Sequence, residues 1–446
     1  MTMWLLRSSL CGAIAALCAV FGQASAQPVP DAPQAISSAA ERIYVGARPR
    51  LMQIRTLVAA AGRQSSLGSG FLVSDDGLAL TNYHVVSQYA LEPGNYRLEY
   101  TMADGGKGDL TLLAIDIAND LAVVRLDRRG DAHFDFDARA LSGGLAKGER
   151  LYSMGNPLNL GFTIIEGTYN GRVENSYVER VLFSGAINPG MSGGPTVTAD
   201  GMVAGVNVSK RTDGELVSFL VPAHFAASLL ERAQGASPPS PGSLRAEIAR
   251  QLIEWQAGLY KTVAETGFRT SSFGPYQASE SAAPWFTCWA QTNAGQVPKP
   301  RAASNTTVCN SDTRLFISGD LYTGTIQVQH THYRSVNLNA FQFATFITQN
   351  NRPYWFGGWR PKWYTRQRCN EDFVALTPSD SHPPLRVAWC ARAYREFEGL
   401  YDVWVVAVTQ DRSDEALVSR LSMQSVTHEN AMALATRFLE TLQWKK

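Results

Sequence analysis

The chain has 446 residues, of which 45% are hydrophobic and 18% are charged, and its formal net charge is +1. This is a globular composition on a chain long enough for two or three domains. Because 40 basic residues balance 39 acidic ones and no long run of like charge occurs, the composition argues against a nucleic-acid partner.

The N-terminal residues 1–26 have the pattern of a secretory signal peptide. Arg7 precedes an apolar run over 10–22, and Ala24-Ser25-Ala26 offers a cleavage site between small residues. An uncleaved anchor helix is the alternative, but the run is too short to span a bilayer comfortably. We therefore expect cleavage after Ala26, no stable membrane insertion of the mature chain, and a periplasmic or secreted location.

The next part of the chain predicts two β-barrels. Residues 27–41, rich in Pro, Ala and Ser, are expected to form a leader, and residues 42–234 are expected to form a domain that ends in a helix at 223–233. Two sets of six strands are predicted within it: 49–60, 67–74, 78–82, 95–101, 108–116 and 120–126, then 149–154, 161–174, 177–184, 194–198, 202–209 and 215–221. Two such sets indicate two small closed barrels.

A change of composition marks a second region. Residues 235–243 are predicted to be a linker, because their prolines continue neither a helix nor a strand ladder. Residues 244–446 contain nine of the ten tryptophans and combine predicted helices at 244–264 and 429–443 with a strand-rich middle. The pattern predicts a separate α+β domain in which the tryptophans serve packing more often than ligand binding.

Cysteine usage fits an exported protein. Two of the six cysteines lie in the predicted signal peptide, and four remain in the second half of the chain: Cys288, Cys309, Cys369 and Cys390. Four cysteines allow three disulfide connectivities. The equal separation within the first pair and within the second pair favours sequential pairing. No C-x-x-C pair supports a zinc site, and we expect no metal or other cofactor.

Three segments carry candidate catalytic residues. Hydrolysis of an amide at neutral pH needs a nucleophile, a base and donors for the oxyanion that forms. The segment T-N-Y-H-V-V places His84 at the end of a predicted hairpin. The segment N-D-L-A-V-V places Asp120 directly before an apolar strand, and N-P-G-M-S-G-G-P surrounds Ser192 with glycines that permit close approach of a substrate.

Other interpretations exist for each residue alone. His84 could be a capped surface residue, Asp120 a turn residue with Asp116 as its competitor, and Ser192 part of a glycine-rich turn. The G-x-S-x-G pattern also fits the nucleophile elbow of α/β-hydrolases. That fold needs a helix after the serine, whereas Pro195 and a β-favouring sequence follow here, and the order His, Asp, Ser differs.

Taken together, the segments resemble the Deg/HtrA branch of the trypsin-like serine peptidases, in which G-S-G-F, T-N-x-H-V-V, D-x-A-V-L and N-P-G-x-S-G-G-P occur in this order. The resemblance covers about residues 45–225, and no PDZ-type carboxylate loop is recognised after residue 240. It implies a double-barrel protease fold, polypeptide substrates and a triad of His84, Asp120 and Ser192. It also implies an oxyanion hole of backbone N–H groups from Gly190 and Ser192, with that of Met191 nearby.

The resemblance further implies a pocket for the side chain before the cleaved bond. Ala186 stands where trypsin has an acid, and a cation buried there without a partner would cost several kcal/mol. We therefore expect a small apolar side chain in this pocket. The pocket residues expected are Ala186, Asn207, Val208, Ser209, Ser218 and Leu220.

Two functions follow from these observations. The complete triad predicts an exported serine endopeptidase acting on unfolded or exported proteins. The alternative is a catalytically weak binding or sensing protein with a protease fold, which the unusual Met191 and the unfamiliar C-terminal region motivate. The sequence indicates neither the natural substrate nor the oligomeric state.

Overall fold

The computed structural model describes residues 38–130, 132–210, 215–350, 360–375 and 381–445. The predicted signal peptide and residues 27–37 of the predicted leader lie outside this part of the chain. The first described element is helix α1 (Ser38–Ala47), which begins inside the predicted leader and is followed by a 3-10 turn at Arg48–Arg50.

The first barrel consists of β1 (Leu51–Val58), β2 (Arg63–Leu72), β3 (Leu78–Thr81), β4 (Tyr96–Met102), β5 (Lys107–Asp116) and β6 (Leu121–Leu126). These strands close in the order β1-β2-β3-β6-β5-β4, and every pair is antiparallel. Helix α2 (Tyr83–Leu91) connects β3 to β4 and buries Tyr83, Val85 and Val86 against the barrel core. Closure removes the exposed strand edges that an open sheet would leave.

The second barrel consists of β7 (Arg150–Gly155), β8 (Thr163–Arg172), β9 (Val181–Phe183), β10 (Pro195–Val197), β11 (Val203–Lys210) and β12 (Ser218–Pro222). It closes in the order β10-β11-β12-β9-β8-β7. Helix α3 (Ala138–Ser142) precedes the barrel, a 3-10 turn at Pro157–Asn159 follows β7, and α4 (Ala223–Ala233) follows β12.

The prediction of two six-stranded barrels is confirmed, and each of the twelve strands overlaps its predicted range. The helix predicted at 223–233 is α4. Helix α2 was not predicted, because Val85 and Val86 are β-branched residues that favour strands in isolation. Burial of their side chains in the barrel core stabilises the helix instead.

The C-terminal region begins with the long helix α5 (Pro241–Thr266). Its strands are β13 (Arg269–Phe273), β14 (Tyr276–Ser281), β15 (Phe286–Thr292), β16 (Ala302–Ser311), β17 (Leu315–Ser318), β18 (Leu321–Thr323), β19 (Ile326–Ser335), β20 (Arg368–Val374), β21 (Leu385–Ala393), β22 (Tyr401–Thr409), β23 (Glu415–Val426) and β24 (Gln443–Trp444). Two further helices are α6 (Ala340–Asn350) and α7 (His428–Glu440).

These strands form a seven-stranded antiparallel sheet, a three-stranded sheet and a separate hairpin. The large sheet has the order β15-β16-β19-β23-β22-β21-β20, the three-stranded sheet is β13-β14-β24, and the hairpin is β17–β18. Cys288 is bonded to Cys309 and Cys369 to Cys390, which is the sequential pairing that the spacing favoured. Each disulfide ties one edge strand of the large sheet to its inner neighbour.

Helix α5 belongs to the cores of both regions. Leu244, Ile248 and Leu252 pack in one hydrophobic cluster with the interior of the first barrel, whereas Leu259 and Val263 pack against the seven-stranded sheet. The helix starts three residues earlier than predicted, since a proline is well tolerated in the first turn. The division of the chain at residues 235–243 stays a prediction, but the two regions share a continuous apolar core.

The tryptophans that the structure describes in the C-terminal region serve mainly in packing. Trp285, Trp363 and Trp404 are buried, whereas Trp289 is exposed on edge strand β15. Within the described ranges, no helix is both long and apolar enough to span a bilayer.

Candidate active site

The side chains of His84 and Asp120 meet at the edge of the first barrel. Oδ2 of Asp120 lies 2.7 Å from Nδ1 of His84, and Oδ1 accepts the backbone N–H of His84 at 2.8 Å. With an ionised carboxylate beside it, Nδ1 carries the proton, and Nε2 retains its lone pair. This is the tautomer that a general base for a serine hydroxyl requires.

The backbone of Asp120 also connects the start of β6 to the start of α2. Its carbonyl accepts the N–H of Tyr83 at 3.2 Å and Nδ2 of Asn82 at 2.8 Å. Asp120 has a φ of +59°, a left-handed conformation that aspartate adopts more readily than most residues. Because of this conformation, both the carboxylate and the backbone carbonyl of Asp120 point toward the start of α2.

Two opposing effects set the pKa of His84. Burial would lower the pKa of the imidazole, but the charge of Asp120 and its hydrogen bond outweigh burial and raise the pKa above its ordinary value. The imidazolium form is therefore stabilised in place. That stabilisation favours transfer of a proton from a nucleophile to Nε2.

Ser192 lies in the loop before β10 and is fixed through its backbone. Its carbonyl accepts the N–H of Ser69 at 2.8 Å. The Ser192 hydroxyl donates to the carbonyl of Val208 at 3.3 Å, and in the described part of the chain no hydrogen bond joins it to His84. In this structure His84 is therefore paired with Asp120, whereas the Ser192 hydroxyl is hydrogen-bonded to Val208.

Two glycines allow the serine loop and the histidine segment to approach each other. A Cβ on Gly68 would lie 2.4 Å from Val85 and 3.0 Å from the carbonyl oxygen of Ser192. A Cβ on Gly193 would lie 2.3 Å from the carbonyl oxygen of Ser69 and 2.8 Å from the backbone nitrogen of Asn82. No larger residue fits either position, so these glycines are a requirement for bringing the two segments together.

A tight turn orients the candidate oxyanion donors. The N–H of Met191 donates to the carbonyl of Asn188 at 3.0 Å, and Gly190 between them has a φ of +94°. Proline followed by a left-handed glycine is the pattern of a type II turn, in which the central carbonyl and the following N–H point in opposite directions. The Pro189 carbonyl accepts the N–H of Leu158 at 2.8 Å, which directs the Gly190 N–H to the other side.

The donors of this loop differ in what they contact. In the described part of the chain the N–H groups of Gly190 and Ser192 have no protein acceptor, which is the state expected of oxyanion donors before a substrate binds. The N–H of Met191 is used within the turn, and we therefore withdraw it from the expected oxyanion hole. Its side chain is fully buried in the core of the second barrel, where it anchors the loop by packing.

The residues expected to line the substrate pocket have different environments. The Asn207 side chain is fully buried and makes four hydrogen bonds: it accepts from Ser153 and Thr196 and donates to the carbonyls of Met154 and Met191. Its amide supports the serine loop, and its backbone does the same, because its N–H donates to the carbonyl of Gly194 and its carbonyl accepts the N–H of Gly193, both at 2.9 Å.

The remaining pocket residues lie around the same loop. Ser218 accepts the N–H of Ile187, the neighbour of Ala186, at 3.2 Å. Leu220 is fully buried in the barrel core, and Val208 supplies the carbonyl that the Ser192 hydroxyl contacts. The side chain of Ser209 is outside the described part. The preference for a small apolar side chain stays a prediction.

One neighbour of the imidazole comes from the C-terminal region. The ring of Phe316 on β17 packs against His84 with centroids 5.9 Å apart and an interplanar angle of 73°. No sequence signal pointed to this residue, because an isolated phenylalanine in a strand is an ordinary core residue.

The comparisons with known proteins match the part of the chain that contains the three motifs. Residues 68–206 match the family model described as a trypsin-like peptidase domain. HhoB of Synechocystis sp. is 34% identical over 177 residues, which are 38% of this chain and 40% of HhoB. A protein of Marinomonas sp. named as a DegP-like periplasmic serine endoprotease is 35% identical over 208 residues, which are 43% of this chain and 41% of that protein.

The similarity is limited to part of each protein. The chain spans less than half the length of these two relatives. Among solved structures, the serine endoprotease from Yersinia pestis is 24% identical and has a TM-score of 0.38, with 44% of this chain and 67% of that chain covered.

Proposed function

Because residues 68–206 are a trypsin-like peptidase domain that resembles the Deg/HtrA proteases, we propose that the chain is an exported serine endopeptidase. The observation that carries the proposal is the double contact of Asp120 with His84, which fixes both the tautomer and the position of the imidazole. The N–H groups of Gly190 and Ser192, which have no acceptor in the described part of the chain, would donate to the oxyanion.

The mechanism requires the Ser192 hydroxyl to change its hydrogen-bond partner. The Ser192 hydroxyl leaves the Val208 carbonyl and turns toward Nε2 of His84, which accepts its proton as Oγ attacks the scissile carbonyl. The oxyanion that forms accepts hydrogen bonds from Gly190 and Ser192. The imidazolium, stabilised by Asp120, then protonates the leaving amine, and water reverses the same steps on the acyl-enzyme.

We also propose a substrate preference and a location for this peptidase. Ala186 provides no charge for a basic side chain, which supports cleavage after a small apolar residue in unfolded or exported proteins. The signal-like N-terminus supports export, as does the likeness to a protein named as periplasmic.

A second function has one observation in its favour. The Ser192 hydroxyl contacts Val208 rather than His84. A protein that keeps this arrangement permanently would bind or sense polypeptides with little turnover.

Two measurements on the full chain separate these functions. A fluorophosphonate probe reacts only with an activated serine, and we expect it to label wild type but not Ser192→Ala. Casein digestion should fall about 10⁶-fold in the same variant. A folded wild type that the probe does not label would support the binding or sensing function, and casein digestion that survived Ser192→Ala would show that the nucleophile is another residue.

A further inference from the structure

Hairpin β17–β18 of the C-terminal region lies directly beside the catalytic imidazole. Phe316 contacts the rings of both His84 and Tyr83, at centroid distances of 5.9 Å and 6.3 Å. The side chain of His84 is 28% exposed and Phe316 is half-buried. Both rings are therefore in contact with each other and partly exposed to solvent.

The hairpin is held rigidly in this place. The Tyr83 hydroxyl donates to the Ile317 carbonyl at 3.0 Å, and the hydroxyls of Thr323 and Tyr394 lie 2.6 Å apart. At the tip of the hairpin, the carboxylate of Asp320 accepts the indole N–H of Trp363 at 2.9 Å. The hairpin is anchored at its tip and on both strands, so Phe316 is a fixed wall of the site.

A line of ring contacts extends this wall outward. Tyr322 is 40% exposed and meets Phe316 edge-on, with centroids 5.3 Å apart. The guanidinium of Arg314 covers the Tyr322 ring at 3.8 Å. The surface therefore runs from Phe316, next to the imidazole of His84, across Tyr322 to the guanidinium of Arg314.

We propose that hairpin β17–β18 forms a wall of the substrate cleft, in which Phe316 and Tyr322 bind an apolar substrate side chain next to the cleaved bond. Side chains of an extended peptide alternate between two sides. If one side chain enters the pocket of the second barrel near Ala186, its neighbours point away from that pocket and can contact the wall beside His84. The inference rests on the proposed peptidase function and makes the C-terminal region part of the active site.

The test is a fluorogenic peptide library with the residue before the cleaved bond held constant and its two neighbours varied. We expect wild type to prefer an apolar residue over glycine or aspartate at one of these two positions. Phe316→Ala should reduce that preference, measured as a ratio of kcat/KM values, by about tenfold. Tyr322→Ala, a change at an exposed site, should reduce it by a smaller factor, and Phe316→Leu should retain most of it.

Matched measurements distinguish the ways in which this inference can fail. Phe373→Ala, at a phenylalanine that is 72% exposed on β20, should leave the ratio unchanged. Probe labelling and circular dichroism establish that each variant is folded and active. If the Phe316 and Tyr322 variants are labelled by the probe but keep the wild-type kcat/KM ratio, the inference is wrong while the peptidase function stands. If the probe does not label folded wild type, the proposed peptidase function is wrong, and the inference that rests on it is wrong as well.

Discussion

The hydroxyl of Tyr83 donates a 3.0 Å hydrogen bond to the carbonyl of Ile317, a residue 234 positions later in the chain. Tyr83 is fully buried and immediately precedes His84, the proposed general base. Burial, with a smaller effect from Asp120, raises the pKa of this phenol, so it is a neutral donor at every physiological pH. This hydrogen bond, with the ring contacts of Phe316, therefore links the C-terminal hairpin to the helix that carries His84.

Replacing Tyr83 with phenylalanine should destabilise the protein by about 1–3 kcal/mol, because the Ile317 carbonyl loses its donor in a buried place. The melting temperature from circular dichroism measures this effect. Tyr322→Phe is the control, since its ring is partly exposed and should change stability by less than about 0.5 kcal/mol. Equal melting temperatures for wild type and Tyr83→Phe would show that the contact adds nothing to stability.

The pH dependence of peptide cleavage should reflect the raised pKa of His84. Only the neutral imidazole can accept the serine proton, and Asp120 raises the pKa above its ordinary 6.5. Activity should therefore be lost as the pH falls, with the midpoint of kcat/KM above 6.5. Asp120→Asn should lower kcat by about 10⁴-fold and move the midpoint to lower pH. A wild-type midpoint below 6.5 would contradict the assigned ion pair.

Gly190→Ala should disable the candidate oxyanion hole without unfolding the protein. The new Cβ would lie 2.4 Å from the carbonyl oxygen of Asn156, at a residue whose φ of +94° already disfavours a side chain. We expect kcat to fall about 10²–10³-fold, the loss associated with one oxyanion donor. Gly201→Ala is the matched control, because its φ of +77° is similar but nothing lies within 4 Å of the new Cβ. Comparable losses in both variants would exclude a specific role for Gly190.

A chain that ends at Gly235 should be much less stable than the full chain. It would lose the side chains of α5 and of the β17–β18 hairpin that cover Tyr83 and the first barrel, among them Leu252 and Leu315. Exposed apolar surface of this kind favours aggregation. We expect a lower melting temperature and binding of a hydrophobic dye, measured on both chains. A truncated chain as stable as the full one would show that the first barrel does not depend on this cover.

The sequence by itself determined the two barrels and their candidate catalytic residues. Alternating apolar residues and glycine-rich turns are local signals, and each predicted strand overlaps the strand that forms. His84, Asp120 and Ser192 were found because each lies in a short motif. The equal spacing of the cysteines also favoured the sequential disulfide pairing that the structure has.

Only the tertiary structure decided how these parts cooperate. The direction of the Gly190 N–H depends on the hydrogen bond from Leu158 to the Pro189 carbonyl. The Met191 N–H is excluded from the oxyanion hole because it donates to Asn188 within a turn. Sequence motifs encode neither contact. The position of Phe316 against His84 joins residues far apart in the chain. Such a contact depends on how α5 packs against both regions, and packing of that kind is a property of the whole fold that no local pattern records.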